Sequence, residues 1–363
     1  MKTRSLYLSA LCAMALTAGF TSCSSDDDDD PWDPSKEGSK VEMAETRAFV
    51  LNEGAYQKNN AGLMYFDWKT DTGYASDLFL AQNDVQMGDV GQDILVDDKD
   101  NLYVILSGSK VIYKMNSVGV VEKSIHVDDL LGDPRYGVLQ NGSLFVTCYG
   151  GFVAKYDAST LSLLGTVEVG PNPEYIIEEG GKLYCTCSGW GADKRVACID
   201  IKSFKEATYF DVMDNPDRII ATEGHIFVQG YGADYSYPWG ELNVTTGEFT
   251  QMGNASSWTA YKGMVYLCNS VTDWSTYATT NYFYTYNAKT GSKTEESFLK
   301  GAPEELGSTS VYGISVNEKT GHLYIMTTDF VSNGAIYHFD QNMQYVGKIA
   351  STGVNPRKVV FLD

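Results

Sequence analysis

Residues 141–160 read NGSLFVTCYGGFVAKYDAST, and the reading of this stretch decides the fold. Asn141-Gly142 is a two-residue hairpin signal, because Asn and Gly both accept the positive φ that such turns need. Residues 144–147 and 152–156 are rich in β-branched and aromatic side chains, as strands are. The stretch is therefore a turn, a strand, a loop, a strand and another turn.

The same pattern recurs along the chain. Aligned on the aromatic of its first strand, it gives Phe49, Tyr103, Phe145, Tyr184, Phe227, Tyr266 and Tyr324. Aligned on the end of the next strand, it gives Phe66-Asp67, Met115-Asn116, Tyr156-Asp157, Ile199-Asp200, Leu242-Asn243, Tyr286-Asn287 and Phe339-Asp340, each an apolar residue and a turn former. Successive aromatics lie 54, 42, 39, 43, 39 and 58 residues apart. A basal period near 40 carrying about four short strands implies an all-β, seven-bladed β-propeller, in which no blade can bury both faces without a neighbour.

Closure follows from the two ends. The repeat holding Phe49 and Phe66 lacks an innermost strand, and the segment Asn355-Pro356-Arg357-Lys358-Val359-Val360-Phe361-Leu362 is a strand without a blade. The C-terminal strand is expected to complete the N-terminal blade, removing the edge a ring would otherwise expose. The propeller is expected to span residues 42–363.

Residues 1–22 read as a signal peptide: Lys2 and Arg4, an apolar run over 6–20, then small residues before Cys23. Residues 20–23, Phe-Thr-Ser-Cys, resemble a bacterial lipobox with Phe in place of the usual Leu, which would make Cys23 the lipidated first residue of the mature chain. The aspartates at 26–30 resemble the acidic export tag of Bacteroidetes surface lipoproteins, and residues 23–41 read as a flexible acidic tether. The formal net charge is −20, with 41 acidic against 25 basic side chains once Lys2, Arg4, Asp33 and the aspartates at 26–30 are set aside. That balance argues against a nucleic-acid partner.

Turns joining first to second and third to fourth strands are short, whereas the loops between second and third strands are long and variable. In a propeller those loops share one face with the links that enter the innermost strands. One face is thus plain and the other elaborated. The elaborated rim carries Tyr56, Tyr149, Trp190, Tyr231, Tyr235, Tyr237, Trp239, Trp274, Tyr277 and Phe330, with Asp193, Lys194, Asp234 and Asp273 as polar contacts. Tyr and Trp offer large rigid area with one polar atom each, which suits a flat polar organic ligand. Asp133-Pro134, Asn172-Pro173, Asn215-Pro216 and Asn355-Pro356 mark entries to innermost strands, so Arg135, Tyr175, Arg218 and Arg357 just after them are candidates to ring the central channel.

Catalysis finds little support. His126, His225, His322 and His338 have no metal-ligand spacing and no evident carboxylate partner, and His322, after a Thr-Gly turn, reads as a surface residue. The acidic 97–101 segment lacks a Ca²⁺-loop pattern and reads as a hairpin. Cys148, Cys185, Cys187, Cys198 and Cys268 are an odd number, so no disulfide is assigned, although Cys187 and Cys198 fall on adjacent strands. No catalytic residue, metal or cofactor is expected.

Together with the lipoprotein-like start, the opening Val50-Leu51-Asn52-Glu53-Gly54, the 83–91 segment NDVQMGDVG and the YVTN-like repeats resemble the YncE-like propeller lipoproteins of Bacteroidetes over nearly the whole mature chain. Within that group the resemblance is to the BtuG-type surface proteins, which capture vitamin B12 and other corrinoids above a TonB-dependent outer-membrane transporter. It implies a corrinoid held on one face, a transporter partner and an outer-membrane, cell-surface location. It carries no short ligand motif, so the candidate residues rest on the loops alone. A siderophore, haem, a glycan stacked on Trp190, Trp239 and Trp274, or a protein-interaction lid are competing readings; a lyase or hydrolase would need a constellation the sequence does not advertise.

Overall fold

The computed structural model describes residues 32–362; the expected signal peptide, Cys23 and the aspartates at 26–30 lie outside them. Seven four-stranded antiparallel sheets are found among the described residues. Their innermost strands are Pro356–Leu362 for blade 1, then Gly91–Val96, Pro134–Gln140, Pro173–Glu179, Pro216–Thr222, Ser257–Tyr261 and Ser310–Val316 for blades 2 to 7. Each blade from 2 to 7 then runs outward in chain order. Blade 1 is closed as expected: Pro356–Leu362 pairs antiparallel with Arg47–Asn52, Arg47 opposite Leu362 and Val50 opposite Val359.

The core lies between neighbouring blades. Six of the seven repeat aromatics are buried, and Phe227 packs with Trp239 of its own blade against Val265, Leu267 and Tyr286 of the next. The blade 7 to blade 1 seam is built likewise from Tyr324, Met326 and Ile336 against Ala48, Val50, Phe66 and Val359. Side chains alternate along each strand, so every blade serves two such layers and none is stable alone.

The Asn-Pro links have a local cause. Asn172, Asn215 and Asn355 take φ of 48°, 51° and 57°, a left-handed conformation that Asn accepts better than most residues, and each turns the chain into a strand whose first residue is Pro. Asn355 also fastens the seam, donating from Nδ2 to the Gly54 carbonyl at 2.9 Å and accepting from Thr328 Oγ1 at 2.6 Å. The inner strands approach closely here: a Cβ on Gly313 would stand 2.2 Å from the Arg357 carbonyl oxygen.

The fold starts earlier than residue 42. Asp33 caps a short 3-10 helix, Pro34–Glu37. Asn116 Nδ2 donates to the Glu37 carbonyl at 2.9 Å, Lys40 N donates to Gln82 Oε1 at 2.8 Å, and Ala44 N donates to the Tyr65 hydroxyl at 2.6 Å. Residues 33–41, expected as tether, are pinned to blades 1 and 2.

Candidate functional site

The innermost strands line a central cavity of about 660 Å³ that runs their length, from Gln92, Tyr136 and Arg357 at one end to Val96, Val316 and Lys319 at the other, and the first end forms a mouth. Tyr136 and Tyr175 stack there with centroids 3.5 Å apart. Arg218 lies over Tyr175 at 5.6 Å, and Arg357 lies between Tyr136 at 5.5 Å and Tyr312 at 5.8 Å. The mouth is thus an alternation of guanidinium and phenol groups, and the expectation that Tyr175, Arg218 and Arg357 ring the channel matches this placement. Arg135 stands behind the ring, held by Glu174 at 3.0 Å and by Gln92 Oε1 at 2.7 Å, with Tyr149 under its guanidinium at 4.5 Å.

Acidic partners nearly neutralise the mouth. Arg357 donates to Glu53 and to the Tyr136 hydroxyl, and Lys358 reaches Asp93 at 2.8 Å. Arg218 is the exception: Asp217 approaches it only to 3.7 Å, beyond a normal hydrogen bond. Gln92 Nε2 and Arg357 Nε are buried without a hydrogen-bond partner. Buried donors left unmade are costly, so a cavity lined by several of them is suited to a ligand bearing carbonyl or carboxylate oxygens. Burial raises Glu174 above the ordinary carboxylate range against the opposing charge of Arg135, and burial likewise lifts the Tyr136 phenol.

On the elaborated face Tyr56, Trp190, Tyr231, Tyr235, Trp274, Tyr277 and Phe330 are exposed, Trp190 and Tyr56 at 73% and Tyr277 at 79%. Some of them are linked to one another or to residues of the mouth. Tyr231, Tyr235 and Trp274 are linked by centroid distances of 6.2 and 5.3 Å, Tyr149 meets Trp190 at 5.8 Å, and Phe330 meets the channel residue Tyr312 at 5.8 Å. Trp190, Tyr235, Tyr277 and Phe330 hold left-handed backbones, with φ of 52°, 58° or 64°. Bulky residues take that conformation at a cost, and such outliers concentrate at binding sites.

Trp239 corrects the sequence reading. It stands at 0% exposure inside the strand Pro238–Asn243, its indole Nε1 donating to the Tyr284 hydroxyl at 2.8 Å, because the alternation of that strand turns it into the blade 5 to blade 6 layer. The polar rim candidates are also committed within the fold. Asp193 grips Arg195 at 2.8 and 2.6 Å, Lys194 pairs with Asp211, and Asp234 and Asp273 cap their own loops through Ser236 and Ser275. Gln92, Tyr312 and Glu53 belong to the mouth and were missed. Gly91 and Ser310 begin their strands without the Asn-Pro signal, and Glu53 reaches Arg357 across 304 residues of sequence.

Three of the four histidines do have side-chain partners. His322 Nδ1 meets His338 Nε2 at 2.8 Å, and His338 Nδ1 meets Asp71 Oδ2 at 2.7 Å; His225 pairs with Glu241 at 2.6 Å. These pairs follow the short turns of the plain face, away from the mouth. Burial and then the neighbouring His338 hold His322 below its ordinary 6.5, so the unfolded chain binds this proton first. Its contribution is complete above the unfolded value and is lost as pH falls through the folded one. The urea midpoint is expected to drop between about pH 7.5 and about pH 5.5, and His322→Asn to flatten that slope; equal slopes would assign the effect to other groups.

All five propeller cysteines are buried and free; Cys198 stands opposite Tyr184 and Cys187 opposite Arg195, so the two thiols do not face each other. Asp97 Oδ1 accepts from the backbone of Lys99 and Asn101, which closes the acidic hairpin. Among the described residues no cluster of His, Cys, Asp or Glu is arranged for a metal.

No protein-family model matches the sequence, and no relative is found among curated proteins. The fold is similar to solved structures at very low identity. A chain in the crystal structure of the mitotic checkpoint complex matches at TM-score 0.55 and 10% identity, over 73% of this chain and 78% of the other. A protein of unknown function from Bacteroides caccae matches at 0.52 and 10%, over 87% and 98%, and apo AztD from Citrobacter koseri at 0.51 and 8%, over 88% and 98%. Such likeness carries the architecture and no activity: the chain is a seven-bladed β-propeller closed by its own C-terminal strand.

Proposed function

We propose that this chain is a ligand-binding cell-surface lipoprotein, anchored through Cys23, whose elaborated face takes a corrinoid and passes it to a TonB-dependent outer-membrane transporter. The observation that carries the binding reading is the set of exposed aromatics held in left-handed backbone, two of which reach the polar channel mouth, Phe330 through Tyr312 and Trp190 through Tyr149 and Arg135. A corrinoid is a large rigid ring fringed with amides. Exposed Trp190, Tyr235 and Trp274 supply flat apolar area for the ring, and Arg218, Gln92 and Arg357 supply donors for amide oxygens at its edge. Rigid partners on both sides keep the ordering cost low. The resemblance of the 50–54 and 83–91 segments to YncE-like and BtuG-type propellers selects the corrinoid among ligands of this shape. Binding, with no chemical step, is the role assigned to the site.

The test is calorimetric titration of residues 33–363, the compact unit, with cyanocobalamin and with cobinamide. One-to-one binding of both is expected, since the ring and its amides are common to them. Absence of heat and of any thermal shift with either removes the corrinoid, and haem, siderophores and glycans follow as ligands for the same aromatics.

Within this reading Arg218→Met has a defined outcome. It removes the donors and keeps the aliphatic stem, so corrinoid affinity is expected to fall roughly tenfold to a hundredfold, worth about 1.4–2.8 kcal/mol, with little change in melting temperature. Unchanged affinity would place the ligand away from the channel mouth.

A further inference from the structure

Blade 6 ends unlike the blades beside it. Its third strand, Ala278–Asn287, is ten residues long, but the outer strand Ser292–Lys293 pairs only with Tyr286 and Asn287. In blade 5 the outer strand Glu248–Asn254 covers all of Pro238–Asn243, and in blade 7 pairing runs from Asn333 to Phe339. Blade 1 also has a two-residue outer strand, Thr72–Gly73, yet there Asp77 Oδ1 accepts from Leu63 N on the uncovered strand and the helix Leu78–Asn83 follows. In blade 6 the 3-10 helix Glu304–Gly307 stands across from the strand, and the Asn281 side chain donates to the carbonyls of Leu306 at 2.8 Å and Thr309 at 2.7 Å, but none of these contacts reaches a backbone group of Asn281 or Phe283.

Thr285 shows which way the edge points. Its carbonyl accepts from Thr294 N at 3.0 Å and its N–H donates to Thr294 Oγ1 at 2.9 Å. Along an antiparallel strand the N–H and C=O of one residue point the same way, and alternate residues repeat that direction. Asn281 and Phe283 therefore turn their backbone groups to the same open side, where, among the described residues, nothing bonds them. Beyond Thr294 the chain peels away, and residues 295–307 form the far wall of a cavity of about 660 Å³ lying along this edge. An open strand edge is normally blunted or covered, since it templates pairing with another chain. Here it lies inside a pocket of the size that holds ligands.

We propose that this edge docks an extended segment of a partner protein, which adds to blade 6 as its missing outer strand and carries a lysine or arginine. Main-chain bonds to Asn281 and Phe283 would supply the affinity, as in strand-addition complexes generally. The charge preference comes from the walls. Glu295 and Glu304 line the cavity against one ammonium, Lys293, which is drawn over the Tyr284 ring at 4.5 Å. The site shares no residue with the channel mouth, so it stands whether or not a corrinoid binds.

The experiment is amide hydrogen exchange on residues 33–363, with and without a capped hexapeptide of alternating valine and lysine as probe. In the free protein the amides of Asn281 and Phe283 are expected to exchange at least about tenfold faster than those of Tyr282 and Tyr284, which point into the pairing with Met264–Asp273. The probe should slow the first pair by a similar factor. Ala302→Trp, an exposed wall position, should fill the cavity and abolish that protection at an unchanged melting temperature. A probe methylated on two adjacent central nitrogens has both edges blocked and should not bind. The proposal falls if the methylated probe protects equally, if the probe protects nothing, or if protection appears without probe as the protein is concentrated, which would give the edge to a second copy.

Discussion

Removing Pro356–Leu362 is expected to abolish cooperative folding of the whole ring, not to fray one end of it. This strand is the innermost of blade 1 and pairs with Arg47–Asn52 over its full length. It buries Pro356, Val359, Val360 and Leu362, and at about 1.5–3 kcal/mol for a fully buried aliphatic side chain the direct loss is comparable to the 5–15 kcal/mol that holds a typical domain folded. Further ties go with it. Trp68 Nε1 donates to the Leu362 carbonyl at 2.9 Å, Val359 N donates to Ser315 Oγ at 3.1 Å, and Arg357 and Lys358 hold Glu53 and Asp93. Blades 2 and 7 would each face a gap where an inner strand should stand. Far-UV circular dichroism and a thermal scan check the outcome. A truncated chain that melts cooperatively within about 10 °C of the full one would show that blade 1 does not depend on its closing strand.

The architecture could be read in advance because it is written in short-range periodicity. Each repeat carries its own turn residues and its own buried aromatic, and the orphan strand at residues 355–362 could belong only to the blade that lacked one. Tyr175, Arg218 and Arg357 were found because Asn-Pro announces the strand they open. What stayed hidden is long-range. Nothing near Asp71 tells that it meets His338, 267 residues away, or that Tyr312 meets Glu53, 259 away, since those contacts exist only once the ring closes. The open edge of blade 6 was also invisible: residues 292–293 look like the start of an ordinary outer strand, and only the departure of the chain after Thr294 shows that it stops. A third limit is the boundary between loop and strand, where a shift of one residue reverses the direction of a side chain.

Trp239 and Trp274 show that limit and give the second large effect. Both sit in long aromatic loops by sequence, but Trp239 is 0% exposed and Trp274 60% exposed. Trp239→Ala is expected to destabilise the fold by about 3–5 kcal/mol, the range for losing a large buried ring, because it opens a cavity among Phe227, Trp258 and Tyr286 and leaves the Tyr284 hydroxyl without its indole donor. Any loss of ligand binding would follow from unfolding and would recover under conditions that restore the fold. Trp274 is exposed and its ring meets Tyr235 at 5.3 Å, so Trp274→Ala should leave the melting temperature within a few degrees. If the rim takes the ligand, the same change combined with Tyr235→Ala should weaken binding at least about a hundredfold, since aromatic anchors dominate such contacts. Urea unfolding and calorimetric titration of the single and double variants separate the two roles. A Trp239→Ala protein as stable as wild type would place that indole outside the core, and a Tyr235→Ala, Trp274→Ala protein that binds normally would move the ligand off the aromatic rim.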